Sequence, residues 1–125
     1  MITKSTAARN AACNAVVGLI DQSGINPTGS LNIYNASSNL MASLPLSYPS
    51  FFSATDGTAV ANTIYDATCR MDGTISYFNF IGRDSSYVYG GSISKETGSG
   101  DMKLPVVALA QGATISISSA TYVVP

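Results

Sequence analysis

The sequence predicts a mainly β domain, an antiparallel β-sandwich or jelly-roll-like barrel with one N-terminal α-helix packed on it. Three observations carry this expectation. First, TISYFNFIGRDSSYVYGGSIS, Thr74 to Ser94, places two runs rich in Ile, Val, Phe and Tyr on either side of the polar turn Gly82 to Ser85, the pattern of a β-hairpin with a loop of about four residues. Second, short apolar runs recur along the chain between turn signals, giving seven or eight strands in all. Third, TAARNAACNAVVGLID, Thr6 to Asp21, repeats apolar residues at helical spacing before the first strand.

At 125 residues the chain is expected to form a single domain over 1–125, with an N-terminal arm (1–5), a helix (6–21) and a β-domain (30–125). Only 10% of the residues are charged, against about a quarter in an average domain, and the net charge is -1. This balance argues against nucleic acid, which demands a concentrated positive field. It also leaves little repulsion between copies, as suits a protein that works packed against other proteins. No stretch reaches the length of a membrane span, so neither nucleic acid nor membrane is an expected partner.

Ser5 or Thr6 is expected to cap the helix. Ala8, Ala12, Ala15, Val16 and Leu19 fall in one stripe, with Arg9, Asn10, Asn14 and Asp21 largely opposite, so the small alanines are expected to lie against the sheet. A signal peptide is the rival reading, since Lys4 and Arg9 precede an apolar run. Asn10 and Asn14 interrupt that run, however, and no small-x-small cleavage site follows.

Ser23-Gly24 and Asn26-Pro27 end the helix. Leu31 to Tyr34 and Leu40 to Leu46 read as strands joined by the turn Asn35 to Asn39, whose Asn35-Ala36-Ser37 sequon has meaning only in a secreted eukaryotic protein. Ser47 to Ser53 is an irregular connection that either tucks Phe51 and Phe52 under the sheet or exposes an aromatic binding loop. Asp56-Gly57 and Asp72-Gly73 bracket a strand region from Thr58 to Met71, with Val60, Ile64 and Tyr65 as its apolar members. In the hairpin, Phe78 and Phe80 share one face of the first strand; Ile75, Tyr77 and Ile81 share the other. Lys95 to Asp101 is the most charged and flexible segment, a surface loop. Pro105 begins a short apolar strand to Leu109, and the final run needs a bulge near Ser118-Ser119 to bring Tyr122 and Val124 into phase with Ile115 and Ile117.

Catalytic constellations are not found. The chain has no histidine, which removes the commonest general base and metal ligand together. Nucleophile elbow, phosphate loop and EF-hand patterns are missing as well. Gly90-Gly91 and Gly98-Ser99-Gly100 precede no helix that would make them phosphate cradles. Asp56, Asp72, Asp84 and Asp101 all stand in turn-like contexts, the ordinary place for a capping Asp. No enzyme activity, cofactor or metal is therefore expected. Cys13 and Cys69 are either two buried thiols or a bridge, which spacing does not decide. Seven tyrosines and no tryptophan supply amphipathic rings suited to a protein interface or to stacking on sugars.

The order of several motifs resembles a group of small virion proteins of tailed bacteriophages and prophages. The similar elements are the opening Ser5-Thr6-Ala7-Ala8-Arg9-Asn10-Ala11, the strand Leu31-Asn32-Ile33-Tyr34, Phe78-Asn79-Phe80 with its polar turn and Val88-Tyr89-Gly90-Gly91 return, the run Gly112 to Ser119, and the terminal Val124-Pro125. The aromatic stretch Ser47 to Phe52 and the loop Lys95 to Asp101 depart from the pattern. The resemblance implies a decoration or cement protein on the capsid surface, made in the bacterial cytoplasm, contacting the major capsid protein and forming a homo-oligomer. The exposed loops and the arm are the expected contacts: Ile2, Lys4, Tyr48, Phe51, Phe52, Tyr87, Tyr89, Lys95 and Glu96. The alternative is a tail- or fibre-associated module that binds carbohydrate through Tyr-lined grooves.

Overall fold

The computed structural model describes residues 2–125. One helix, α1 (Thr6–Gly18), is extended by a 3-10 turn (Leu19–Asp21), which together fill the expected helical range. Ser5 is its N-cap: the Ser5 hydroxyl accepts a hydrogen bond from the Ala8 amide at 3.1 Å, satisfying one of the free donors of the first turn. Ten strands follow: β1 (Ser30–Asn35), β2 (Leu40–Pro45), β3 (Thr58–Val60), β4 (Ala67–Thr68), β5 (Gly73–Ile81), β6 (Tyr87–Lys95), β7 (Met102–Leu104), β8 (Ala108–Leu109), β9 (Thr114–Ile115) and β10 (Thr121–Val123). The protein is mainly β, sandwich-like, with its helix at the N-terminal side.

The main sheet runs β2-β1-β5-β6-β7, with β8 pairing to the start of β5. The β5–β6 hairpin supplies its centre, and all its pairings are antiparallel except β6 with β7, which is parallel, so the sheet is mixed. Facing it are α1 and two short ribbons, β3 with β10 and β4 with β9. Between these layers one apolar cluster joins Cys13, Val17 and Ile20 of the helical segment to Leu31, Ile33, Phe78 and Phe80 of the sheet and to Ala59, Ile115 and Ile117 of the ribbons. Phe80 is its hub, with the Phe51, Phe78 and Tyr89 rings at 5.5, 5.8 and 4.8 Å. Both cysteines are buried free thiols; Cys13 Sγ donates to the Tyr122 carbonyl and Cys69 Sγ to that of Met71.

Turn chemistry follows the residues closely. Asp56 and Gly57 both take positive φ, as a two-residue hairpin turn demands, and Thr55 and Thr58 exchange backbone hydrogen bonds across it. Asn35 closes the β1–β2 turn by accepting from the Ser37 and Asn39 amides. Asp84 accepts from the Ser86 amide and hydroxyl, and Asp72 from the Gln111 amide, so these carboxylates serve as turn fasteners.

Several expectations are corrected. Ile75 is buried on the same side as Phe78 and Phe80, because the register slips between Tyr34 and Asn35 opposite it and shifts the alternation by one. The region Thr58 to Met71 is not one strand; β3 and β4 pair with different partners, and Val60 and Tyr65 are exposed while Ile64 is buried. Pro105, which has no amide to donate, separates β7 from β8 and does not start a strand. In place of a bulged terminal strand, Ser116–Ala120 crosses from β9 on one ribbon to β10 on the other, so each half answers to a different partner.

Candidate functional site

The helical segment buries its large apolar side chains, Cys13, Val17 and Ile20, but the alanine stripe expected to lie against the sheet points outward. Ala8, Ala12, Ala15 and Leu19 are exposed, whereas Arg9, Asn10, Cys13, Val16 and Val17 face the body of the protein. The cause lies in the segment from Ser50 to Gly57, which flanks the helix and has amides that no strand fully serves. Asn10 Oδ1 accepts from the Gly57 amide at 2.7 Å, Asn14 Oδ1 from the Ala54 amide at 2.8 Å, and the Asp21 carboxylate from the Ser50 amide and hydroxyl. Arg9 completes the set, donating through Nε to the Val124 carbonyl and through Nη2 to that of Asp56. The buried Gly57 amide needs an acceptor, which keeps Asn10 half-buried beside Arg9, while Asn14 serves Ala54 from an exposed position.

The outward consequence is a nearly uncharged face. Ala8, Ala12, Ala15 and Leu19 expose small or apolar side chains along α1, and a side chain built at Gly18 would meet nothing. On the adjoining β3–β10 ribbon Val60 and Val123 are also exposed, and Phe52, whose amide donates to the Val60 carbonyl, stands beside them.

The contact residues expected from sequence divide into three places. Ile2 is 91% exposed, and Lys4 Nζ donates to the Pro125 carbonyl, which ties the arm to the residues following β10. Tyr48 and Tyr87 are exposed toward the other end of the helical segment, where the Arg83 amide donates to the Ile20 carbonyl. There the Arg83 guanidinium lies 5.1 Å from the Tyr48 ring centre, held by donation from Nε to the Asn26 carbonyl. Ile25 at 95% exposure and Leu19 at 43% enlarge this end. Lys95 and Glu96 are exposed at the far end of β6 from Tyr87, about 26 Å away at the rise of a strand.

Two members of that set are not surface contacts. Phe51 is only 6% exposed and its ring meets Phe80 edge-on; the aromatic stretch tucks Phe51 in and leaves Phe52 out. Tyr89 packs between Phe80 and Tyr122, and its hydroxyl is the one buried side-chain polar atom among the described residues that lacks a partner. Burial pushes its phenol above the ordinary value, with smaller contributions from Tyr122 and Cys13. Its ring, with Phe78, Phe80 and Ile117, floors a cavity of about 580 Å³ whose rim carries Glu96, Asp101 and Lys103, so Tyr89 and Glu96 share this place.

Sequence reading missed the outward helix face because it weighted the alanine stripe above the larger apolar side chains of Cys13, Val17 and Ile20 on the neighbouring face. A signal was available: Arg9, Asn10 and Asn14 are spaced to meet a neighbouring backbone. Among the described residues no group of three or more His, Cys, Asp or Glu could hold a metal, and no helix is long and apolar enough to cross a membrane. Compared with known proteins, the chain matches no family model, no curated protein and no solved structure.

Proposed function

We propose that this chain is a non-enzymatic structural protein of a tailed-bacteriophage particle, a decoration or cement protein that binds the outer capsid surface and stabilises the head. The observation that carries the reading is the outward face of α1, where small side chains allow a partner's backbone to approach closely and no charge must be desolvated. The ordered resemblance to small virion proteins, from the Ser5 to Ala11 helix start to the terminal Val124-Pro125, supports the same reading.

The mechanism is physical. Each copy lays this face and the adjoining Phe52, Val60 and Val123 against major capsid subunits and removes apolar surface from water. Many copies on one shell shift its stability together by mass action, so each contact works at modest affinity. Self-association at symmetry axes of the shell extends the same surface.

Purified heads lacking the protein provide the test. Adding the wild-type chain should restore a fixed high copy number and raise the temperature at which packaged DNA escapes, while an Ala12→Arg, Ala15→Arg double variant with wild-type circular dichroism should do neither. Equal restoration by the variant, or absence of the protein from purified particles, would sink the proposal.

A further inference from the structure

On the side of the main sheet away from the helix, the outward residues of β1 and β2 and the 26–30 segment form a groove of about 520 Å³, within the size range of small-ligand sites. Its lining includes Asn32, Tyr34, Ser43 and Pro45, and none of its residues is charged. Tyr77, outside the groove, stacks on the Tyr34 ring with centroids 5.0 Å apart and planes 13° from parallel, which backs that ring with a second one.

The polar groups of β1 and β2 here form one network, while at the other end of the groove Asn26 Nδ2 donates to the Arg83 carbonyl and to Ser85 Oγ. Ser30 Oγ and Ser43 Oγ both donate to Asn32 Oδ1, at 3.2 and 2.7 Å, and Asn32 Nδ2 donates to the Tyr34 hydroxyl at 3.3 Å. With its carbonyl doubly occupied, Asn32 is held in one amide orientation. What the network leaves free is then defined: a second Asn32 N–H, the Tyr34 hydroxyl proton, and lone pairs on the Ser30 and Ser43 oxygens. Donors and acceptors therefore alternate over a few ångströms beside an aromatic ring and the apolar edges of Pro27, Pro45 and Ile81.

We propose that this groove binds a neutral saccharide. A sugar ring presents hydroxyls that both donate and accept along its rim, and an apolar C–H face that packs on aromatic and proline surface. An anionic ligand finds no cation in the lining, and a purely apolar one would strand the network. The β1 and β2 residues of the site face away from the helix, and the proposal does not depend on the capsid reading.

The test is a titration of isotope-labelled full-length protein with neutral oligosaccharides built from glucose, galactose, mannose and N-acetylglucosamine, with sialylated and sulfated sugars as the acidic arm. At least one neutral sugar should produce saturable amide shifts confined to residues 26–34, 40–45 and 81–85. Asn32→Asp, which keeps the shape but removes the amide donors, and Ser43→Ala, at an exposed position, should each weaken binding at least tenfold. Val106→Ser, remote from the groove, should not. The proposal is overturned if no neutral sugar shifts these amides, if only the acidic arm binds, or if both groove variants bind as the wild type does.

Discussion

Phe51 and Phe52 are adjacent in sequence and opposite in role. Phe51 closes the core over Phe80, whereas Phe52 stands in solvent at 55% exposure. Phe51→Ala should cost about 3–5 kcal/mol in urea unfolding, the range for emptying a buried aromatic site. Phe52→Ala should cost under about 0.5 kcal/mol, as surface changes do, and, if the proposed capsid role holds, reduce occupancy on heads. Equal stability losses would contradict the assigned burial. Tyr89 makes a sharper case, since its hydroxyl is enclosed without an acceptor. Tyr89→Phe removes only that oxygen and should raise stability by about 1 kcal/mol, the lower part of the range for an unmatched buried polar group. A stability loss on chemical denaturation would show that the hydroxyl has a partner in solution.

At the scale of elements, the helix separates what a sequence discloses from what it withholds. Its limits are legible because Ser5 caps it and turn residues end it, both local signals. Its facing is not, because the decisive acceptors, Asn10 and Asn14, answer amides at Gly57 and Ala54, about forty residues or more away. The central hairpin was legible for the same local reason, whereas the phase of Ile75 depends on a register slip against β1 that no run of β5 records. Asn10→Ala should therefore destabilise by about 1–3 kcal/mol, since the buried Gly57 amide loses its acceptor, while Ala12→Ser on the outer face should change stability by less than about 0.5 kcal/mol. The reverse order in thermal melts would restore the orientation with the alanine stripe inward. The join of β6 to the segment entering β7 adds a pH dependence. The Ser92 amide and hydroxyl donate to the Asp101 carboxylate at 3.0 and 3.1 Å and hold its pKa below the ordinary value. A depressed folded pKa means the unfolded chain takes up the proton first. The contribution is thus complete above the unfolded carboxyl value of about 3.9 and disappears as pH falls through the folded one. Asp101→Asn should flatten the acid limb of the Tm profile below about pH 4, and an unaltered limb would remove Asp101 from the account.

Across the whole molecule, α1 is joined to β10 and its end by two side chains, Cys13 at the Tyr122 carbonyl and Arg9 just beyond the strand, and Arg9 also reaches a third element. Arg9 reaches the Val124 carbonyl at 3.1 Å and the Asp56 carbonyl at 2.6 Å, tying α1, the hairpin turn before β3 and the end of β10 together. The β3–β10 ribbon has three residues on each strand, too few to stand alone, so it depends on this clasp and on the core beneath it. The main sheet has no such need, because β5 is paired along most of its length by β1 and β6. Arg9→Ala should therefore loosen the two layers unequally. Global stability should fall by about 1.5–3 kcal/mol, the range for hydrogen bonds from a charged donor, and hydrogen exchange should quicken first at residues 58–60 and 121–123 while Leu31, Ile33, Phe78 and Phe80 stay protected. Arg9→Lys should restore only part of the loss, because a single ammonium cannot reproduce the planar fork that serves two carbonyls at once. Uniform acceleration of exchange across both layers would instead mean that the protein opens only as one unit, with no separate weakness where its two ends meet.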